Sequence, residues 1–232
     1  MFMGNAVYYK DRLFADRLRK CYEMAPSRIV QYLDAEIQFV IANVRGVDLV
    51  LELGCGYGRV LKAVSSFVSM IVGNDVSKAS LELAKSYMKP HRNYEIVQMD
   101  ASNMSFYPGV FDVVFCIQNG ISAFGVDRTR LIAESIRVTK DDGLILFSSY
   151  SPKIWEDRLN WFRQQSQAGL LGEIDDEKTR NGSIVCKDGF RVTAVSGAEF
   201  VELFGAFGLD ASIIEVDESS IFCKAAKRQD RS

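Results

Sequence analysis

The sequence of 232 residues predicts an α/β fold, a doubly wound Rossmann-like three-layer sandwich built on a mostly parallel sheet. From residue 26 to residue 149, helical stripes of apolar residues alternate with short, nearly continuous apolar runs. Such runs are typical of strands buried on both faces of a parallel sheet, and right-handed crossovers then place helices on both sides. After residue 195 two strands follow each other with a tight link, which only an antiparallel pair allows.

The elements of the alternating part can be predicted in order. An apolar stripe of period 3.6 predicts a helix over 26–44, with Pro26 in its first turn. Short apolar runs predict five strands, at 49–53, 70–75, 94–100, 111–117 and 143–149. The intervening helices are predicted at 58–68, from Ser77 to Lys89, and from Asp127, because Ser and Asp side chains suit the N-cap.

The last part of the chain differs from this alternation. Ser196 and Glu199 have the spacing of a capping box and predict a helix to about Phe207. Strands are predicted at 211–216 and 219–226. Between strand five and that helix, residues 151–195 predict an inserted helix and a small hairpin, because Asn-Gly and Asp-Gly dipeptides favour two-residue turns.

The composition excludes several classes of protein. Lys and Arg total 28 against 30 Asp and Glu, a net charge of −2, so we expect no nucleic-acid partner. No apolar run approaches the length of a membrane span, and the N-terminal segment lacks the apolar core of a secretory signal. The five cysteines have no metal-ligand spacing and there is one histidine. These features predict a cytoplasmic protein without a metal or a membrane partner.

The most informative segment is Glu52-Leu-Gly-Cys-Gly-Tyr-Gly58, directly after the first strand. Glycines at this place allow positive φ angles and let backbone N–H groups approach a ligand closely. The spacing is G-x-G-x-G instead of the dinucleotide fingerprint G-x-G-x-x-G. An acidic residue two positions before Gly54 repels phosphate, which favours a ligand that carries positive charge.

Two more acidic residues end the next strands. Asp75 ends strand two, where a carboxylate can accept hydrogen bonds from both ribose hydroxyls of a nucleoside. Asp100 ends strand three and is followed by Ala101 and Ser102. A carboxylate there can receive the exocyclic amine of adenine, while a neighbouring backbone N–H meets a ring nitrogen. Three such features at three successive strand ends predict a nucleoside-containing cofactor.

On these residues, the chain resembles the class I S-adenosylmethionine-dependent methyltransferases of the small-molecule type. LELGCGYG is similar to the first motif of the family, GNDVS to the second, and QMDAS to the adenine-binding loop. FDVVFCIQNGISAF resembles the strand-four motif and VTKDDGLILF the segment that leads into strand five. The resemblance is strongest over residues 45–150.

The resemblance implies a seven-stranded sheet in the order 3-2-1-4-5-7-6 with strand 7 antiparallel. It also implies S-adenosylmethionine as cofactor, with S-adenosylhomocysteine as product and no metal, and Glu52 near the amino group of the cofactor. Together with the residue pattern, it gives a predicted cofactor site of Glu52, Gly54, Cys55, Gly56, Gly58, Asp75, Val76, Asp100, Ala101, Ser102 and Gln118.

The acceptor side is less determined by the sequence. QNGISAF lacks the proline motif of DNA and protein amino-methyltransferases and is similar to small-molecule N- and C-methyltransferases. The candidate substrate-binding residues are Asn119, Tyr22 and Trp155. Asn119 is equally compatible with a capping role, Tyr22 is compatible with simple packing, and a tryptophan at helical spacing, such as Trp155, is more typical of packing. No catalytic residue is assigned, since alignment of a nucleophile with an activated methyl donor needs no obligatory base.

The predicted organisation is a single methyltransferase domain over 1–232, with an N-terminal helical cap at 1–45 and a substrate lid or dimer contact at 151–195.

The predicted function is methyl transfer by in-line displacement to a small-molecule acceptor, by a monomer or a homodimer. The alternatives are an RNA or protein methyltransferase, a nonenzymatic S-adenosylmethionine-binding regulator, and an NAD dehydrogenase. The glycine spacing disfavours the dehydrogenase, and the balanced charge disfavours RNA. The acceptor and the atom that is methylated stay open.

Overall fold

The structure, a computed structural model, describes residues 8–9, 11–44, 46–47 and 49–227, so the first seven residues of the predicted N-terminal cap lie outside the described residues. The strands are, in chain order, β1 (Leu49–Leu53), β2 (Met70–Asp75), β3 (Tyr94–Gln98), β4 (Phe111–Cys116), β5 (Thr139–Tyr150), β6 (Ser183–Val185), β7 (Arg191–Thr193), β8 (Ala211–Val216) and β9 (Ser220–Ala226). The α-helices are α1 (Ala15–Glu23), α2 (Ser27–Val44), α3 (Arg59–Ser65), α4 (Lys78–Tyr87), α5 (Gly120–Ala123), α6 (Arg128–Val138), α7 (Trp155–Gln167) and α8 (Gly197–Gly205).

Seven of the strands form one sheet in the order β3-β2-β1-β4-β5-β9-β8. β1 to β5 pair in parallel, and β9 runs antiparallel to both of its neighbours, β5 and β8. Since β8 and β9 are the sixth and seventh strands of this sheet along the chain, the predicted order 3-2-1-4-5-7-6 with an antiparallel seventh strand is confirmed.

The helix starts follow the capping residues that the sequence indicates. Ser77 accepts a hydrogen bond from the backbone N–H of Ser80 at the start of α4, and Asp127 accepts from Thr129 and Arg130 at the start of α6. Before α8, Ser196 and Glu199 form both hydrogen bonds of the capping box. These bonds satisfy N–H groups that have no partner within a helix.

Several boundaries differ from those predicted, among them those of α4, β3 and β5. α4 ends at Tyr87 instead of Lys89, and β3 ends at Gln98, which leaves Asp100 in the following loop. β5 begins at Thr139 instead of residue 143, because Thr139 pairs with Phe111 across a register shift in β4. Polar residues can join a sheet beside such a bulge. They carry none of the apolar pattern from which a strand is predicted.

Apolar clusters cover both faces of the sheet. On one face Phe147 packs with Phe200 and Phe204 of the α8 layer. On the other, Phe115 packs with Val40 of α2 and Leu61 of α3. The layers therefore hold the strands rigidly, so that the loops at the carboxyl ends of β1 to β5 have a fixed support.

A third apolar cluster lies beyond the end of β5. The N-terminal segment contributes Tyr8 and Cys21, while α7 contributes Trp161 and the hairpin contributes Phe190. β6 and β7 pair antiparallel around Asp188 and Gly189, and Asn181 and Gly182 both have positive φ angles just before β6. Among the described helices, none combines the length and the apolar character of a membrane span.

Candidate functional site

A cavity of about 180 Å³ opens at the carboxyl ends of the parallel strands. The loops after β1, β2, β3 and β4 form one wall of it, and the N-terminal segment closes the other side with Tyr9, Leu13, Leu18 and Tyr22. A smaller cavity of about 40 Å³ adjoins it beside the glycine loop. The position is the one at which open α/β sheets bind their ligands.

The glycine loop is anchored to the end of β2. The N–H of Gly54 donates to Oδ1 of Asn74 at 3.3 Å, and the N–H of Gly56 donates to Oδ2 of Asp75 at 3.0 Å. Gly54 has a φ of +71°, and a Cβ there would lie 2.3 Å from Cε1 of Phe124. The positive φ therefore favours glycine at this position, and any side chain there would displace the ring of Phe124.

Asp75 is held in place by backbone groups. Its Oδ1 accepts from the N–H of Ser77 at 2.8 Å while its Oδ2 accepts from Gly56, and the residue lines the cavity. Burial raises the pKa of Asp75, and the backbone N–H bonds oppose that shift. Each carboxylate oxygen has a second lone pair, so the group can accept two further hydrogen bonds from hydroxyls in the cavity.

The carboxyl of Glu52 and the guanidinium of Arg59 both face the smaller cavity. Glu52 is 4% exposed, and its Oε2 has no hydrogen-bond partner. Nη2 of Arg59, in the first turn of α3, is also buried and without a partner, although the guanidinium lies 4.8 Å from the ring centre of Tyr22. Within the described residues the two side chains form no ion pair. A group with a positive and a negative end would satisfy both atoms.

The electrostatics of Glu52 follow from this burial. Removal from water raises the pKa of Glu52 to about 8, and the charge of Arg59 lowers it only in part. A buried carboxyl whose pKa lies this high is typical of a binding or catalytic site. An incoming cation would favour its ionised form.

The third loop supplies Asp100 and Ala101 to the cavity wall, and Val76 follows β2 on the same side. Oδ1 of Asp100 accepts from both the N–H and the hydroxyl of Ser102, at 2.7 and 2.8 Å. Ser102 itself does not line either cavity. It orients the carboxylate of Asp100 from behind.

Gln118 is fixed from below by a buried carboxyl. Its backbone, at a φ of +58°, donates to Oε2 of Glu36 at 2.8 Å and to Oγ of Ser148 at 2.9 Å. Desolvation raises the pKa of Glu36 to about 7, while three hydrogen bonds oppose that shift. The hydroxyl of Tyr22 donates to Oε1 of Gln118 at 3.0 Å, which ties the N-terminal segment to the cavity floor.

The structure brings most of the predicted residues to the cavities, and their roles stay predictions. Glu52, Gly54, Gly56, Asp75, Val76, Asp100, Ala101, Gln118 and Tyr22 line the larger cavity, and Cys55 lines the smaller one.

The remaining predicted residues lie elsewhere. Gly58 lines neither cavity and lets α3 approach Ala84 of α4. The amide of Asn119 donates to the carbonyl of Thr193 and accepts from Ser149, away from the cavity. Trp155 packs in the third apolar cluster, beside Arg158.

Several lining residues were missed by the sequence reasoning. Arg59 directly follows the third glycine, and Asn74 directly precedes Asp75, so their positions could have suggested them. Phe124 and Leu18 carry no such signal, because only the packing of short helices brings them to the site. Among the described residues, no cluster of three or more His, Cys, Asp or Glu side chains could hold a metal ion.

The sequence also matches known proteins. Residues 50–143 match a family described as a methyltransferase domain. The chain is 28% identical over 129 residues to a malonyl-[acyl-carrier protein] O-methyltransferase of Legionella pneumophila, over 55% of this chain and 45% of that protein. It is 31% identical over 151 residues to an uncharacterized protein of Methanocaldococcus jannaschii, over 63% of this chain and 51% of that protein. The chain thus spans about half the length of these curated relatives.

Solved structures share the fold. The protein PH0226 of Pyrococcus horikoshii superposes with a TM-score of 0.65 at 21% identity, covering 95% of this chain and 98% of that one. The magnesium protoporphyrin IX methyltransferase of Synechocystis, solved with bound S-adenosylhomocysteine, gives 0.64 at 17% identity, with 96% and 97% covered. At these identities the likeness establishes the architecture.

Proposed function

We propose that this chain, a member of the class I S-adenosylmethionine-dependent methyltransferases, moves the methyl group of that cofactor onto a small-molecule acceptor by in-line displacement. The observation that carries the proposal is the unpaired Glu52–Arg59 couple beside the glycine loop. The methionine end of the cofactor has an ammonium and a carboxylate on one carbon atom, which are the two charges that these side chains lack. Moving outward from β1, Asp75 at the end of β2 would meet the ribose and Asp100 after β3 would meet the adenine.

The chain's own residues would perform three tasks. Glu52 and Arg59 would bind the charged ends of the cofactor, Asp75 would accept hydrogen bonds from the ribose hydroxyls, and Gln118 would form part of the cavity wall. The cofactor, when bound, supplies an already activated methyl group, so alignment and exclusion of water account for most of the expected rate enhancement. No side chain is assigned as a general base.

A small acceptor is supported by the cover over the cavity. Tyr9, Leu13 and Tyr22 close it from the N-terminal side, so a large folded substrate would first have to displace them. The relative from Legionella is named for an acceptor on a carrier protein. An acyl group on a flexible arm is compatible with the same narrow opening and is the second candidate.

The direct test is ligand-induced stabilisation. S-adenosylhomocysteine at about a hundred times its Kd is expected to add about 2.7 kcal/mol to the free energy of unfolding, measured as a shift in melting temperature. 5′-Methylthioadenosine lacks both charges of the amino acid and should stabilise less at equal concentration. NAD should give no shift, and a larger shift with NAD would overturn the assignment.

Cofactor affinity is also expected to depend on pH through Glu52. Only the ionised carboxylate pairs with an ammonium, and the pKa of Glu52 is about 8 before the ligand binds. Affinity for S-adenosylhomocysteine should therefore rise from pH 6 to pH 8, by up to about tenfold per unit. Calorimetry at both pH values measures this, and binding of 5′-methylthioadenosine, which has no ammonium, should stay constant. An equally flat profile for both ligands would show that Glu52 does not meet the ammonium.

A further inference from the structure

Arg158 of α7 is a buried cation without a carboxylate partner. It is 1% exposed, and within the described part of the chain no Asp or Glu lies at ion-pair distance from it. Its guanidinium lies 4.1 Å from the ring centre of Tyr150 and is surrounded by Trp155 and Phe162. Buried charges are normally paired, so an unpaired one indicates that a counter-charge is supplied from outside the chain.

The hydrogen bonds of Arg158 leave one edge of the guanidinium available. Nη1 donates to the carbonyl of Gly182 at 2.8 Å, which fixes the group against the hairpin. Nη2 reaches the carbonyl of Val192 only at 3.5 Å, and Nε has no partner. Nε and Nη2 together form the side of a guanidinium to which a carboxylate binds through two parallel hydrogen bonds.

This cation adjoins the site described above through Tyr9. Tyr9 lines the larger cavity, and its ring centre lies 6.0 Å from that of Phe190, which in turn lies 6.0 Å from that of Phe162 beside Arg158. One more buried donor, Nε2 of Gln118 in the cavity wall, lacks an acceptor. The nearby acid, Glu36, already accepts from Gln118 and Ser220. Two buried donors at this end of the site, Nε of Arg158 and Nε2 of Gln118, therefore have no acceptor.

We propose that the methyl acceptor carries a carboxylate that binds to the Nε–Nη2 edge of Arg158, behind Tyr9. The proposal rests on the proposed function and adds the class of the acceptor, an organic acid. Because Arg158 is enclosed, the side chain of Tyr9 turns aside when the acid enters. A carboxylate has the acceptors that Gln118 and Arg158 lack, whereas an amine or an amide would leave the cation without a counter-charge.

A structural role for Arg158 makes a different prediction. If its two carbonyl contacts only hold the hairpin, the residue affects stability and has no preference for acids over amides. The test therefore compares matched ligands as well as matched variants.

The experiment uses the full chain saturated with S-adenosylhomocysteine and two pairs of probes, hexanoate with hexanamide and benzoate with benzamide. Arginine side chains are labelled with ¹⁵N, and the Nε–H resonance of Arg158 is assigned by its loss in Arg158→Lys. A carboxylate is expected to shift this resonance downfield with saturation, and the matching amide is expected to leave it in place. Arg163→Met removes an exposed arginine of the same helix, paired with Asp176, and should leave the response unchanged.

Variants extend the test to affinity. Arg158→Met should bind the carboxylates at least tenfold more weakly, with Arg158→Lys intermediate, while the Kd for S-adenosylhomocysteine stays within about twofold. Equal responses to acids and amides, no response to either, or unchanged acid binding in Arg158→Met would overturn the proposal. The resonance shift in the unmodified protein decides the matter even where Arg158→Met does not fold. Failure of S-adenosylhomocysteine to bind would instead refute the proposed function, and the acid titration can be run without it.

Discussion

Replacing Asp75 with alanine is expected to weaken the binding of S-adenosylhomocysteine by about a hundredfold or more. The carboxylate is positioned to accept two hydroxyl hydrogen bonds, and charge-assisted bonds contribute roughly 1.5–3 kcal/mol each. Each 1.4 kcal/mol corresponds to a factor of about ten in Kd. Calorimetric titration of the wild type and the variant measures the difference directly.

The control variant for Asp75→Ala must lose hydrogen bonds from backbone N–H groups to a carboxylate, as Asp75→Ala does, without changing the cavity. Asp75 also accepts from the backbone N–H groups of Gly56 and Ser77, so its removal costs stability as well as binding. Asp127 accepts from two backbone N–H groups in the same manner, at the start of α6 and outside the cavity. Asp127→Ala should lower the melting temperature similarly and leave the Kd unchanged. Equal Kd values for Asp75→Ala and the wild type would remove Asp75 from the site.

The sheet was predictable because its signals are local. The runs at 49–53 and 70–75 are apolar throughout, and the tight link between 216 and 219 permits only an antiparallel pair. The order of the strands was not available from the residues and came from the resemblance. The extension of β5 to Thr139 depends on its pairing with Phe111 across a register shift. The sequence of one strand does not show where the neighbouring strand will pair with it.

The candidate site was predictable where it lies at strand ends. Glu52 and Asp75 lie at the carboxyl ends of β1 and β2, and Asp100 follows β3. Parallel strands place their carboxyl ends at one edge of the sheet. The directions of side chains outside the strands were not predictable. Asn119 follows β4 just as closely, but its positive φ and its hydrogen bond to the carbonyl of Thr193 place its amide away from the cavity.

The segment 151–195 illustrates why contacts between distant parts of the chain escape sequence reasoning. No residue of this segment lines either cavity, and the N-terminal segment forms the wall on that side. The predicted substrate lid or dimer contact stays a prediction. The insertion packs behind the N-terminal segment: Nε1 of Trp161 donates to the carbonyl of Cys21 at 2.9 Å, and the hydroxyl of Tyr8 donates to Asp188 at 2.8 Å. We therefore propose a cover of two layers, in which the insertion holds the N-terminal segment closed.

Phe190→Ala should open this cover. Phe190 is fully buried, and its ring centre lies 5.0 Å from that of Tyr8 and 6.0 Å from that of Tyr9, so truncation removes the contact that backs the cavity wall. The loss of such a ring is expected to cost about 3–5 kcal/mol of stability. In addition, amide hydrogen exchange over residues 11–24 should accelerate, and S-adenosylhomocysteine should dissociate faster.

Phe204→Ala separates the two effects of that substitution. Phe204 is equally buried but packs against Phe147 on the α8 side of the sheet, away from the N-terminal segment. Its truncation should destabilise the fold by a similar amount, while exchange over residues 11–24 and the dissociation rate stay near the wild-type values. Excising the hairpin outright would be a poorer test, because it bares the whole third cluster. If both variants release the ligand equally fast, the insertion does not specifically hold the N-terminal segment closed. A general loss of stability then explains the effect of Phe190→Ala.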